Sequence, residues 1–168
     1  MQTNLENSIA SFQVDHTKLK PGLYTARIDG FGVNTVTTLD LRFTTPNSEL
    51  DPPSAMAGLH TIEHLGAVFL RNHSEIRNEV IYFGPMGCRT GCYAIFFGNH
   101  SLPYYTRVFE EMSRFILDWN DAIPGATPEE CGNFRDHNLL AAKAIISKWL
   151  SVLTRQRNLS YDPFHYPT

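Results

Sequence analysis

His60-Thr61-Ile62-Glu63-His64 reads H-x-x-E-H, a spacing that sets metal and proton chemistry on one side of a helix. Residues i and i+4 share a helix face, so the two imidazoles can chelate one divalent ion. Glu63 leans to the same side, where a carboxylate beside a metal can move protons. The competing reading is a solvated helix face that carries two histidines and a glutamate. A catalytic metal takes about three protein ligands and an open position. Cys131, in Pro128-Glu129-Glu130-Cys131-Gly132, is the candidate third ligand, because the glycine after it permits an unusual backbone path. A small buried core residue is the alternative fate of such a cysteine.

Cys88 sits in Gly84-Pro85-Met86-Gly87-Cys88-Arg89-Thr90-Gly91. A thiol on a glycine-flanked turn can meet backbone N–H groups and a cation, and both favour thiolate. That makes Cys88 a candidate acid, base or nucleophile, set against an inert turn cysteine. Cys92 opens an apolar strand and reads as core.

These residues alone admit three functions. One is a metal-dependent enzyme that uses both cysteines. Another is a metallopeptidase of the inverted-zincin kind, with Glu63 activating water and Glu110 or Glu111 as third ligand, which leaves Cys88 and Cys131 without a task. The third is an interaction module held by a closed four-ligand site, with Cys88 or another histidine as the fourth donor.

The elements that must position these groups follow from pattern. β-branched residues are dense from Leu23 to Thr44, and Gly30, Gly32 and Asn34 mark a turn, so a hairpin is predicted. Residues 44 to 54 form a proline-rich loop. Ser54 is the predicted N-cap of a helix with Met56, Leu59, Leu65, Val68 and Phe69 on its apolar side, ending near Asn72 to Ser74. Short strands are predicted at Glu79 to Phe83 and Cys92 to Phe97, then helices at Pro103 to Trp119 and Asp136 to Arg155, with Trp119 and Trp149 as packing residues. The order ββ, α, ββ, α, α predicts an α+β fold with helices on one face of an antiparallel sheet.

Bulk properties narrow the function. The 168 residues fit one domain, with residues 1 to 10 as a loose lead-in. At 42% hydrophobic and 18% charged, the chain can fill a core and is not disordered in composition. A net charge of -3 with no basic stripe argues against nucleic-acid binding. Neither a secretory leader nor a membrane span is recognisable, so the expected compartment is the cytoplasm. Three cysteines make a poor disulfide framework and suit ligands or catalysts.

Taken in order, Ser11-Phe12, Asp15-His16, Asp40-Leu41-Arg42-Phe43, HTIEHLGAVFLRNH, PMGCRTG and Glu130-Cys131-Gly132-Asn133 form a set. From Ser11 to His137 that set resembles the S-ribosylhomocysteine lyase (LuxS) family. The resemblance implies a LuxS/metallopeptidase-like fold and a homodimer with its active site near the interface. It implies one divalent metal per subunit, Fe²⁺, with Zn²⁺ or Co²⁺ able to substitute. Its ligands would be His60, His64 and Cys131. Cys88 and Glu63 would be the acid/base pair, with Ser11, His16 and Arg42 lining the pocket and Arg71 reaching the amino-acid end of the substrate. The implied reaction cleaves S-ribosylhomocysteine to homocysteine and 4,5-dihydroxy-2,3-pentanedione, the autoinducer-2 precursor. Arg42 would also lower the pKa of Cys88.

Two positions depart from the family pattern. Thr44 stands where a cysteine is frequent, and Tyr82 where an aspartate helps hold the amino-acid end of the substrate. Tyr82 supplies no carboxylate. His73, His100, His137 and His165 read as surface or structural residues, and Arg77 and Arg89 as solvated.

Overall fold

The computed structural model describes residues 14 to 51 and 53 to 157; Ser11, the lead-in and the tail around His165 lie outside them. The first strands, β1 (Gly22–Phe31) and β2 (Asn34–Arg42), form the expected antiparallel hairpin. Gly32 takes φ 62 at its tip, a left-handed conformation that suits glycine. A helix, α1 (Met56–Asn72), precedes β3 (Val80–Pro85) and β4 (Gly91–Phe97). Two further helices follow, α2 (Leu102–Asp118) and α3 (Leu139–Arg157). The sheet has the order β1-β2-β4-β3, with every neighbouring pair antiparallel. β3 lies at its edge, where Pro85 costs no ladder bond.

Strand alternation divides the sheet's faces. Leu39, Leu41, Cys92, Ala94 and Phe96 are fully buried and join one cluster with Leu59, Ile62 and Leu65 of α1, Phe109 and Met112 of α2, and Ile146 and Trp149 of α3. The opposite face carries Asp40 and Arg42, both buried, beside half-covered Tyr93 and Ile95. Trp149 meets Phe43 edge-on at 5.1 Å and donates from Nε1 to the Gly22 carbonyl at 3.1 Å, which pins α3 to the start of β1.

Two helix starts differ from expectation. α1 begins after Ala55 with no side-chain cap; the Ser54 amide instead donates to the Arg89 carbonyl at 2.9 Å, tying this loop to the Cys88 turn. α3 begins at Leu139 and not at Asp136, because Asn138 caps it. The Asn138 Oδ1 accepts the Ala141 amide at 2.9 Å, and residues 136 to 138 stay free to meet α1.

α1 lies close on β3 because Gly66 lets the Phe83 ring cross its backbone; a Cβ at Gly66 would stand 2.3 Å from Phe83 Cε1. Overpacking there costs about 1–3 kcal/mol, against about 1 kcal/mol gained in helix propensity. Gly66→Ala is expected to lower unfolding free energy by roughly 1 kcal/mol in urea titration, with Phe83→Leu restoring it in the double variant.

Candidate functional site

The side chains with chemistry fall into two neighbourhoods. In the first, α1 holds His60 and His64 one turn apart, ring centroids 4.8 Å from each other. The long segment between α2 and α3 closes over them. A turn started by Thr127, whose carbonyl accepts the Cys131 amide at 3.0 Å, brings Cys131 Sγ to 3.3 Å from His60 Nε2. Cys131 is therefore half-buried beside a histidine rather than packed in the core.

Both imidazoles are oriented by backbone. His60 Nδ1–H donates to the Asp136 carbonyl at 2.9 Å, and His64 Nδ1–H to the Pro124 carbonyl at 2.7 Å. A carbonyl only accepts, so a proton sits on each Nδ1, and Nε2 is the nitrogen left to serve a ligand. Gly125 makes the second contact feasible: its φ is 70, and even the position of an added Cβ lies 3.3 Å from His64 Nδ1.

His137 joins this group, although the sequence reading gave it no role. Its ring stacks on His60 at 4.0 Å and meets His64 edge-on at 4.7 Å. Burial, then the nearby His60 and His64, hold it below the ordinary histidine range. One ligand atom each from His60, His64, Cys131 and His137 lies within 4.8 Å of all the others. Two donors on one tetrahedral ion would stand about 3.6 Å apart at usual metal–nitrogen and metal–sulfur lengths. The group therefore fits a divalent ion, and imidazole with thiolate suits Zn²⁺, Fe²⁺ or Co²⁺ better than Mg²⁺ or Ca²⁺. The signal available in the sequence was a histidine six residues after Cys131, just ahead of a helix.

The second neighbourhood lies on the sheet's other face. A cavity of about 370 Å³ is lined by His16, Arg42, Met86, Cys88 and Tyr93, among others. His16 is turned by a 2.8 Å contact from its Nδ1 to the Val14 carbonyl. The buried Arg42 pairs with buried Asp40 and donates to Thr90 Oγ1. Its Nη1 also stands 3.9 Å from the exposed Cys88 Sγ, which lies 3.0 Å from Thr90 Oγ1. Partial burial pushes the Cys88 thiol up, but the hydrogen bonds from Thr90 and the Arg42 charge outweigh it, so the thiol sits below its ordinary range. Arg89, which takes φ 60 in the turn, is exposed as expected; the cation beside the sulfur is Arg42.

Glu63 is half-buried on α1, and no hydrogen bond or ion pair occupies its carboxylate among the described residues. Burial, then the Glu63 charge, raise the Tyr82 phenol. Tyr82 is exposed and folds its hydroxyl over Gly84, where a Cβ would lie 2.2 Å from it. Thr44 is buried at the Cys88 turn, its amide 3.2 Å from the Thr90 carbonyl. Arg71 donates to the carbonyls of Val80 and Ile81 at 3.2 and 3.3 Å and lines neither neighbourhood. Within one chain, no hydrogen bond or ion pair among the described residues joins Glu63 or the histidine–cysteine group to Cys88.

The depressed thiol has a direct readout. Cys88 should alkylate with iodoacetamide along a pH profile whose midpoint lies below that of an unperturbed cysteine. Thr90→Val should move that midpoint up, since it removes the largest contribution favouring thiolate. A midpoint unchanged by Thr90→Val would contradict this account.

The family model described as S-Ribosylhomocysteinase (LuxS) matches residues 9–159. A protein of Clostridium acetobutylicum named S-ribosylhomocysteine lyase is 45% identical over 159 residues, 95% of this chain and 98% of that relative. Relatives of the same name from Finegoldia magna and Borrelia garinii are 46% and 44% identical over 157 and 155 residues. The alignments cover 92% and 91% of this chain and 98% of each relative.

Proposed function

This chain belongs to the S-ribosylhomocysteinase (LuxS) family, and from that premise we propose that it is a metal-dependent carbon–sulfur lyase. The substrate is S-ribosylhomocysteine, and the products are homocysteine and 4,5-dihydroxy-2,3-pentanedione. The observation that carries this reading is the meeting of His60, His64 and Cys131 donor atoms at ligand spacing. A peptidase has no use for Cys131 there, nor for a depressed thiol at Cys88.

His60, His64 and Cys131 hold one divalent ion per subunit, Fe²⁺, with Zn²⁺ or Co²⁺ able to replace it. When bound, the ion supplies Lewis-acid polarisation of the sugar carbonyl. The chain's own groups move the protons. Cys88, as thiolate, takes a proton from the carbon next to the carbonyl, and Glu63, whose carboxylate has no hydrogen bond or ion pair among the described residues, returns protons on the other side. Repetition moves the carbonyl from C1 to C3. Removal of the C4 proton then expels homocysteine thiolate from C5, and the resulting enol tautomerises to the dione. His16, Arg42 and Ser11 line the substrate pocket, Ser11 from outside the described residues, and Arg71 serves the amino-acid end. Tyr82 offers that end a phenol in place of a carboxylate.

The separation of the Cys88 cavity from the histidine–cysteine group within one chain supports a homodimer whose complete site forms near the interface. The chain acts as one lyase domain over residues 1 to 168. Three free thiols suit a reducing compartment and support the cytoplasm; no helix of the described residues is long and apolar enough to cross a membrane.

The first test is thiol release from S-ribosylhomocysteine by anaerobically prepared protein, with metal measured on the same sample. Metal-replete protein that releases no thiol would refute the reading. Cys88→Ala should keep about one metal per chain and lose turnover by roughly 100-fold or more. For the shared site, Cys88→Ala and His60→Ala chains are unfolded together, mixed and refolded. Recovery of thiol release in the mixture is expected, and inactivity of a mixture shown to contain heterodimers would confine each site to one subunit.

A further inference from the structure

Arg89, next to Cys88, takes φ 60, a left-handed conformation that non-glycine residues rarely adopt and that persists only where neighbours hold it. The groups that hold it come from outside the turn. The Arg89 carbonyl accepts the Ser54 amide at 2.9 Å. The Thr90 carbonyl accepts the amides of Phe43 and Thr44 at 2.8 and 3.2 Å. The backbone that follows Cys88 is thus gripped from two sides, by the chain just after β2 and the chain just before α1. That grip sets Thr90, whose hydroxyl stands 3.0 Å from the Cys88 sulfur and accepts from Arg42.

One carboxylate braces both gripping stretches. Asp51 Oδ2 accepts the amide of Thr45, the neighbour of Thr44, at 2.7 Å, and Oδ1 pairs with Lys148 Nζ of α3. Ser54 follows three residues after Asp51, and Pro53 between them stiffens the link because proline fixes its own φ. The Asp51 side chain is only 16% exposed. Burial raises its carboxyl, and the hydrogen bonds from Lys148 and the Thr45 amide more than offset that, so it is an anion at neutral pH. The lyase chemistry above uses neither Asp51 nor Lys148, and neither lines the Cys88 cavity. We propose that Asp51 is a positioning residue for Cys88: braced by Lys148, it fixes the stretches that hold the Arg89 and Thr90 carbonyls, and so keeps the Thr90 hydroxyl on the sulfur. Its consequence for turnover rests on the lyase reading; its effect on the thiol does not.

The test is the pH profile of iodoacetamide alkylation in full-length protein, followed at the Cys88 peptide by mass spectrometry. Asp51→Ala should raise the midpoint toward that of an unperturbed cysteine and cut the thiolate fraction at neutral pH by about threefold or more. Asp51→Asn, which keeps an acceptor for the Thr45 amide and loses the ion pair, should raise it less. In a Thr90→Val background, Asp51→Ala should move the midpoint little further, because its route to the sulfur is already cut. With S-ribosylhomocysteine, Asp51→Ala should shift the acid limb of kcat to higher pH and leave KM within about twofold. A wild-type midpoint in folded Asp51→Ala overturns the proposal even where urea titration shows lost stability, since that is what a merely structural brace would give. If Asp51→Ala does not fold, an unmoved midpoint in Asp51→Asn overturns it equally. A full-sized further rise in the Thr90→Val background overturns the route through Thr90. Alkylation needs no turnover, so a metal-replete wild type that releases no thiol refutes the lyase reading alone.

Discussion

The structure turns on two hydrogen bonds, from His60 Nδ1–H to the Asp136 carbonyl and from His64 Nδ1–H to the Pro124 carbonyl. Each fixes a tautomer and a ring plane, and together they tie α1 to both ends of the segment that carries Cys131. Without them the i, i+4 spacing would guarantee only that two rings share a helix face. Carbonyl acceptors on Nδ1 leave Nε2 as the nitrogen available to a metal. The packing behind α1 serves the same end: Gly66 admits Phe83, and Leu59, Ile62 and Leu65 fill the core on the side away from the histidines.

The Cys88 neighbourhood is organised by charge. Asp40 and Arg42 are buried together on the sheet face away from the helices, an arrangement that rarely adds stability by itself. What it does here is aim a guanidinium at Thr90 and the Cys88 sulfur. Thr90 links the two, accepting from Arg42 and touching the thiol. A lone exposed cysteine becomes a thiolate source because a buried ion pair, held by strand pairing, cannot turn away from it.

Sheet geometry explains why these neighbourhoods are separate. Side chains alternate between faces along a strand, so β2 sends Leu39 and Leu41 to the helices and Asp40 and Arg42 to the opposite side. The histidine–cysteine group belongs to the helix layer and the thiol pocket to the bare face. Tyr82 and Gly84, facing Ile95 and Tyr93 in the register of β3 with β4, lie on that bare face too.

Much of this was legible in the sequence. HTIEH announces an i, i+4 pair, Gly32 a hairpin turn, and the glycines around Cys88 a strand-to-strand turn, because each is a local rule of backbone geometry. The family resemblance extended that to Cys131 and Arg42. The start of α3 was misjudged, since Asp136 and His137 carry helix-like pattern but are drawn into contacts with α1. Ser54 looked like a cap and is not one, because the helix begins one residue later, with Ala55 at the N-cap position. His137 was given no role, because its place beside His60 depends on how the segment ahead of α3 folds back on α1. The carbonyls of Pro124 and Asp136 were invisible for a deeper reason: every residue has one. The sequence by itself determined which side chains can ligate or ionise and which fall on one helix face, because those depend on residue type and short-range spacing. Only the tertiary structure decided which nitrogen faces inward, which cation meets Cys88, and that the thiol and the histidine–cysteine group stand apart in one chain, because those depend on distances between segments far apart along it.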